Sequence, residues 1–202
     1  MGICYIVGAG DFYKPFTPEK DDLVIAADGG YDHLKRFGIR CDILLGDLDS
    51  ITSAPEGVKT IKHPVRKDET DMHLAYLEGA RLGYKNFLIY GGTGGREDHT
   101  FANYCLLLYI REQGGRATLV SEKARVTIIK NETVTICGIP GRHLSLFPFG
   151  ASCEGVSIKG AEYECVDIKL LPSYPLTVSN IFKETPVTIG VREGALLVMG
   201  EM

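Results

Sequence analysis

The sequence lacks tryptophan, paired cysteine motifs, a long apolar run and an excess of basic charge. Among its 202 residues, Trp is absent and the six cysteines form no C-x-x-C pair, so a zinc or disulfide framework is not expected. The longest apolar run, residues 105–110, is far shorter than the about 20 residues that a membrane-spanning helix needs. With 22 basic against 26 acidic residues the net charge is −4, which disfavours a general nucleic-acid binder.

What remains is an ordinary globular composition, with 45% hydrophobic and 24% charged residues. Such a chain buries enough apolar surface to fold, so intrinsic disorder is excluded. The start of the chain carries no basic residue ahead of its apolar stretch, unlike a secretory signal. We expect free thiols in a reducing compartment, a cytoplasmic location, and neither a membrane nor a nucleic acid as partner.

The sequence pattern changes near residue 122. Up to residue 122, apolar β-rich runs alternate with segments of helical spacing, which predicts an α/β domain with an open parallel sheet flanked by helices. From residue 123 to residue 202, short β-rich runs are separated by turn residues without helical periodicity, which predicts a smaller all-β sandwich. The strands predicted in the first part lie at residues 3–7, 23–27, 43–45, 58–61, 87–90 and 117–120.

Carboxylates follow several of these predicted strands. Ligands bind at the carboxyl ends of parallel strands, and carboxylates that meet there repel each other unless a cation neutralises them. Oxygen ligands without sulfur or imidazole favour Mg²⁺. The acidic residues expected at this edge are Asp28, Asp47, Asp49 and Asp71. Asp68 lies just before a predicted helix, where a capping role is an equally good interpretation.

A glycine-rich turn at residues 91–95 precedes Arg96. Backbone amides approach phosphate closely where no side chain intervenes, so the turn predicts a phosphate site. It is not a Walker A loop, because no Gly-Lys-Ser/Thr follows. Residues 8–10 are not a dinucleotide fingerprint either, since Phe12 and Tyr13 stand where a third glycine belongs. An exposed, salt-bridging arginine is the alternative interpretation of Arg96.

Taken together, these motifs resemble the thiamin pyrophosphokinase family. The resemblance rests on Ala27-Asp28-Gly29-Gly30, Gly46-Asp47-Leu48-Asp49-Ser50, Lys67-Asp68-Glu69-Thr70-Asp71, Gly91-Gly92-x-Gly94-Gly95-Arg96-x-Asp98-His99 and the late Val178-Ser179-Asn180. It implies a nucleotide- and metal-binding catalytic domain over residues 1–122 and a thiamine-binding sandwich over residues 123–202. It also implies a homodimer with active sites shared between subunits, and Mg²⁺-dependent transfer of pyrophosphate from ATP to the hydroxyl of thiamine, giving thiamine diphosphate and AMP.

The resemblance also assigns roles to residues of this sequence. The metal ligands would be Asp28, Asp47, Asp49 and Asp71, and the catalytic carboxylates would be Asp49, Asp68 and Asp71. Either Asp68 or Asp71 would accept the hydroxyl proton. ATP would contact Gly29, Gly92, Gly94, Gly95, Arg96 and Asp98. Ser179 and Asn180 would bind thiamine, and without tryptophan the nearest aromatic candidate for ring stacking is Phe182.

Two other functions stay open at this point. One keeps the chemistry and changes the acceptor to another hydroxymethyl heterocycle, such as a dihydropterin, but such a protein should lack the Ser179-Asn180 step. The other is a non-catalytic thiamine- or nucleotide-binding protein. A sensor of that kind would be free to lose its carboxylates, and this sequence keeps all four.

Overall fold

The computed structural model describes residues 2–13, 15–46, 57–62 and 68–201. The chain divides into two compact units, Met1–Glu122 and Lys123–Met202. No helix in the part of the chain that the structure describes is long and apolar enough to cross a membrane.

In the residues that the structure describes, the first unit is built on a parallel sheet of six strands. Its elements are β1 Cys4–Val7, β2 Leu23–Ala27, α1 Gly30–Arg36, β3 Ile43–Gly46, β4 Lys59–Lys62, α2 Asp71–Arg81, β5 Asn86–Tyr90, α3 Glu97–Glu112 and β6 Arg116–Val120. Within this unit the strand order is β6-β5-β1-β2-β3-β4, and every neighbouring pair is parallel. The order therefore reverses between β1 and β5, which is where open α/β sheets bind ligands.

The central strands of this sheet are continuous apolar runs. Every residue of β1, β2 and β3 is buried, whereas the edge strand β4 exposes Lys59 and Lys62. Helices α1 and α2 contact β1 and β2, and α3 contacts β6. A parallel sheet covered by helices needs apolar side chains on both faces of its strands, which explains runs without alternation.

Helix α2 begins at a threonine cap. The Thr70 side-chain oxygen accepts a hydrogen bond from the amide of His73 at 3.2 Å, which satisfies one of the amides that open the helix. Asp68 lies two residues before this cap, so Thr70 takes the capping role considered for Asp68. The cap fixes Asp71 as the first residue of α2, where a negative charge is favourable.

The second unit is a sandwich of two antiparallel sheets. Its strands are β7 Ala124–Lys130, β8 Thr133–Ile136, β9 His143–Pro148, β10 Cys153–Lys159, β11 Cys165–Leu170, β12 Asn180–Ile181, β13 Val187–Gly190 and β14 Ala195–Glu201. Within this unit the sheet orders are β12-β9-β14-β7 and β11-β10-β13-β8. Leu146 and Val198 of one sheet share a core with Val156 and Ile189 of the other. The predicted fold class is thereby confirmed, but the two-residue β12 was not predicted.

One ion-pair cluster ties the edge strand to a helix. Glu78 of α2 accepts a hydrogen bond from Lys59 Nζ of β4 at 2.9 Å and from Arg81 Nε at 2.7 Å. The Arg81 hydrogen bond, aided by Lys59, lowers the pKa of Glu78 from its ordinary 4.5 to about 2. The Glu78 side chain is only 11% exposed, but both cations are mostly exposed, so the full shift overstates the stabilisation.

We expect Glu78→Gln to lower the free energy of unfolding at pH 7 by about 1–2 kcal/mol. A carboxyl group whose pKa is lowered by folding stabilises the protein at pH values above its pKa in the unfolded state. This stabilisation is lost as the pH falls toward its pKa in the folded state. The difference in free energy of unfolding between variant and parent should therefore be largest above about pH 4.5 and decrease toward pH 2. Urea unfolding at pH 7, 4 and 2.5 measures this, with the exposed Glu122→Gln as control. A difference that does not change with pH would contradict the assignment.

Candidate active site

A cavity of about 410 Å³ lies at the carboxyl ends of β1, β2 and β5. Its wall comes from four segments: the turn after β1, the end of β2, the start of α2, and the loop from β5 into α3. The lining residues are Gly8, Ala9, Gly10, Ala27, Asp28, Glu69, Thr70, Asp71, Met72, Gly91, Gly92, Gly94, Gly95, Arg96, His99, Thr100 and Asn103. The cavity thus occupies the point at which the strand order reverses, as expected for a ligand site.

Two glycine turns run side by side across this cavity. The amide of Gly8 donates to Tyr90 O at 2.8 Å, that of Gly10 to Gly91 O at 2.9 Å, and that of Asp11 to Thr93 O at 2.7 Å. A Cβ atom on Gly10 would overlap both Thr93 O and Gly91 O. The turns can approach this closely because Gly10 has no side chain.

The second turn leaves its amides available for an anion. Gly92, Gly94 and Gly95 line the cavity. Their amides donate to no backbone carbonyl among the described residues. The loop leads directly into α3, a helix of 16 residues. Amides beside a helix N-terminus can bind an anion, and the phosphate site expected from the sequence stays a prediction.

Arg96 and Asp98 form a bidentate ion pair at the cavity rim. Arg96 Nη2 lies 2.6 Å from Asp98 Oδ2, and Arg96 Nε lies 3.1 Å from Asp98 Oδ1. Hydrogen bonding from Arg96 lowers the pKa of Asp98. Arg96 lines the cavity and Asp98 does not. The salt bridge considered from the sequence is present, and the phosphate-binding role of Arg96 stays a prediction.

The carboxylates fall into three groups. Asp28 and Asp71 line the cavity, together with Glu69, which the sequence reasoning did not select. Asp68 is not part of the lining. Asp47 and Asp49 lie outside the described residues, so their predicted roles are not examined by the structure.

The donor set suits a hard cation. Among the described residues, no three His, Cys, Asp or Glu side chains are close enough to hold a metal ion. Mg²⁺ commonly takes only one or two protein carboxylates and completes its shell with water and substrate phosphates. The oxygen donors of Asp28 and Asp71 beside an amide-lined loop fit that pattern, and the four-aspartate ligand set stays a prediction.

Gly29, predicted to contact ATP, does not line the cavity. It caps α1, and a Cβ atom there would lie 3.1 Å from the Cβ of Ala9. Its small size therefore lets α1 pack against the first glycine turn.

Asn103 was missed by the sequence reasoning and lies at the base of the cavity. It is only 5% exposed, and its Nδ2 donates a hydrogen bond to Gly92 O at 2.7 Å. The signal was present, because Asn103 shares the buried face of α3 with Leu106, Leu107 and Ile110. A buried polar side chain on an apolar helix face needs a partner, and here that partner is the second glycine turn.

In the second unit, Asn180 is a structural anchor. Its side-chain oxygen accepts hydrogen bonds from the amides of Tyr163 at 3.0 Å and Ile181 at 2.8 Å, and its Nδ2 donates to Tyr163 O at 2.8 Å. Ser179 is exposed, adopts a φ of 57° and donates its amide to Ser145 Oγ at 3.0 Å. Asn180 and Tyr163 also line a cavity of about 280 Å³ whose wall includes Leu176 and Val178.

Phe182 lies elsewhere than the stacking prediction requires. It is 1% exposed and belongs to the core of the sandwich. Its ring packs against Gly138 and lies close to Gly200, since a Cβ atom on either glycine would press on the ring. Phe182 directly follows β12 and forms an isolated β-bridge with Ala161. A ring enclosed in this way has no free face for a ligand.

The chain thus combines an α/β unit that carries a glycine-lined cavity with a β-sandwich unit. The sequence matches two family models, "Thiamin pyrophosphokinase, catalytic domain" over residues 17–119 and "Thiamin pyrophosphokinase, vitamin B1 binding domain" over residues 125–196. The chain belongs to the thiamin pyrophosphokinase family. Membership makes it an enzyme of the thiamine diphosphokinase class, transferases of thiamine diphosphate biosynthesis.

Solved structures share this fold. A thiamine pyrophosphokinase from Bacillus subtilis superposes with a TM-score of 0.88 at 23% identity, covering 99% of both chains. That from Geobacillus thermodenitrificans gives 0.85 at 24% identity, covering 99% of this chain and 97% of the other. The yeast enzyme gives 0.76 at 17% identity, covering 100% of this chain and 86% of the other. The comparison with curated proteins found no match.

Replacing Asn103 by leucine should destabilise the first unit. The variant keeps the side-chain size roughly constant but leaves the buried Gly92 carbonyl without its donor, a loss of about 1–3 kcal/mol. The exposed Cys105→Ala on the same helix is the control, expected within about 0.5 kcal/mol of the parent. Denaturant unfolding compares the two. Equal stabilities for both variants would show that the Asn103 hydrogen bond does not support the loop.

Proposed function

We propose that this chain transfers the pyrophosphate group of ATP to the hydroxyl of thiamine, with Mg²⁺, and releases thiamine diphosphate and AMP. The observation that carries the proposal is one cavity that combines an amide-lined glycine loop, Arg96 and the carboxylates of Asp28 and Asp71. A dihydropterin acceptor is less well supported, because residues 125–196 match a vitamin B1 binding domain.

The reaction requires one bond to form and one to break. The thiamine hydroxyl oxygen attacks the β-phosphorus of ATP, and the bond from that phosphorus to the oxygen bridging it to the α-phosphorus breaks. AMP leaves with the electron pair, and the hydroxyl proton passes to a carboxylate. We assign that proton to Asp71 rather than Asp68, because Asp71 lines the cavity and Asp68 does not. The chain then needs only to position its substrates and neutralise charge.

The phosphates of ATP would lie along the second glycine turn. The amides of Gly92, Gly94 and Gly95 have hydrogens to donate to phosphate oxygens, and the guanidinium of Arg96 supplies a planar pair of donors. Asp98 keeps that guanidinium oriented through its bidentate contact. Interactions of this kind stabilise charge that develops on the phosphate oxygens during transfer.

Asp28 and Asp71, with Asp47 and Asp49, are the residues that we propose to hold Mg²⁺. When bound, the ion would neutralise negative charge on the ATP phosphates. Asp28 is held in a left-handed conformation with φ 48°, and its amide donates to Leu45 O at 2.8 Å. The strand end therefore sets the direction in which this carboxylate leaves the backbone.

The acceptor test measures AMP after incubation with Mg·ATP and either thiamine or a hydroxymethyl-dihydropterin. We expect AMP only with thiamine, and none in excess EDTA. Asp71→Asn should lower turnover by about 100-fold or more, and the matched Asp68→Asn should stay within about threefold, with both variants retaining the parent's melting temperature. Equal losses in the two variants would contradict the assignment of the proton acceptor. AMP formation with the dihydropterin alone would contradict the proposed substrate.

Tyr163 replaces Phe182 in our proposal for the thiamine site, together with Ser179 and Asn180. Its side chain is 69% exposed, and its backbone is held on both sides by Asn180. An aromatic face beside an apolar wall suits the pyrimidine ring and the cationic thiazolium of thiamine, because cations are attracted to ring faces.

The second unit also presents an apolar surface. Apart from Ile139, its large exposed apolar residues lie within one short stretch of sequence: Tyr163, Val166, Leu171, Tyr174, Leu176 and Val178. Exposed apolar patches of this kind mark interaction sites. We propose a homodimer with active sites shared between subunits, as the family resemblance implies. A cytoplasmic location remains a prediction, consistent with six free cysteines.

A shared site predicts complementation between two defective variants. Asp71→Asn and Tyr163→Ala should each be weakly active alone. In a mixed dimer one of the two sites carries neither change, so random exchange of subunits should restore about a quarter of the parent activity. The control mixture, Asp71→Asn with Asp28→Asn, changes two residues of the same unit and should restore none. No recovery despite mixed dimers detected by native mass spectrometry would argue against sharing.

A further inference from the structure

His33 donates a hydrogen bond to the first glycine turn. It lies on α1, half-buried, with its Nε2 2.8 Å from Gly10 O. A carbonyl oxygen only accepts hydrogen bonds, so Nε2 carries the proton. The nucleotide site proposed above assigns no role to this side chain.

The orientation of the His33 ring is set by an aromatic cluster. The ring stacks on Phe12, with centroids 5.3 Å apart and an angle of 14° between planes. Phe12 in turn contacts Phe16, Phe37 and Tyr90, with centroids 6.3, 5.3 and 5.7 Å away. Packing on several sides restricts the side-chain rotamers, so the imidazole is held where its N–H meets the Gly10 carbonyl.

The hydrogen bond continues into the second glycine turn. Gly10, whose carbonyl accepts from His33, also donates its own amide to Gly91 O at 2.9 Å. The next amide, that of Asp11, donates to Thr93 O at 2.7 Å. His33 therefore binds the carbonyl of the first turn, and the amides of the same turn bind the carbonyls of Gly91 and Thr93 in the second turn. The three amides assigned to phosphate binding, those of Gly92, Gly94 and Gly95, belong to the supported loop.

We propose that His33 is a positioning residue for nucleotide binding: it fixes residues 8–10 against residues 91–95 and so keeps the phosphate-binding amides in place. The inference rests on the proposed function for its effect on ATP. The contact between the turns themselves can be measured without any ligand.

The experiment compares three substitutions. His33→Leu removes the donor, His33→Phe keeps a ring that can stack on Phe12 but cannot donate, and His33→Gln restores an N–H donor. Each is measured for amide hydrogen exchange of Gly10 and Asp11 without ligand, for binding of Mg·ATP without thiamine by calorimetry, and for kcat and KM. Melting temperatures establish that each variant is folded.

We expect faster exchange at Gly10 and Asp11 in His33→Leu and His33→Phe, and near-parent exchange in His33→Gln. Loss of one hydrogen bond should weaken Mg·ATP binding and raise KM for ATP by about 5- to 10-fold, with kcat changed less than about twofold. The glutamine variant should recover most of this loss.

Unchanged exchange in His33→Leu would overturn the proposal, as would equal weakening of ATP binding in all three variants. A change confined to kcat would also overturn it. If the exchange rates change as expected but the parent protein itself fails to bind Mg·ATP, then His33 positions the turn and it is the proposed function that fails.

Discussion

Close contact between two glycine-rich turns is the constraint on which the first unit depends. The ends of β1 and β5 are neighbours at the sheet edge, and their turns share hydrogen bonds from Gly10 to Gly91 and from Asp11 to Thr93. Because a Cβ atom on Gly10 would overlap the opposite backbone, this contact exists only with glycine. The cavity lies beside this contact, and Gly92, Gly94 and Gly95 of the second turn line it.

Charge then decides what such a cavity can bind. The loop from Gly92 to Arg96 presents amide dipoles and a guanidinium, whereas Asp28 and Asp71 present carboxylates from the facing segments. A phosphate alone would be attracted by one wall and repelled by the other. A phosphate accompanied by a divalent cation is complementary to both, because the cation reverses the sign of the interaction with the carboxylates.

The second unit combines a closed core with an exposed apolar stretch. Its core is closed by Phe182 and the aliphatic residues of two sheets, and Asn180 uses its side-chain amide to anchor the backbone at Tyr163. The residues beyond that anchor leave apolar side chains in solvent. Stability is therefore provided by the interior, and the exposed stretch is available for recognition.

The fold class and the position of the cavity could be predicted from the sequence. Continuous apolar runs predict covered parallel strands, and the glycines and carboxylates after them could be read in order. Which polar groups come into contact could be seen only after the elements had packed. Asn103 reaches the loop through a helix face, and Thr70 rather than Asp68 caps α2. Phe182 lies in the core of the sandwich. The sequence did not show this, because alternation tells which side chains share a face of a strand but not which face is buried. That choice depends on pairing with residues far away in the sequence.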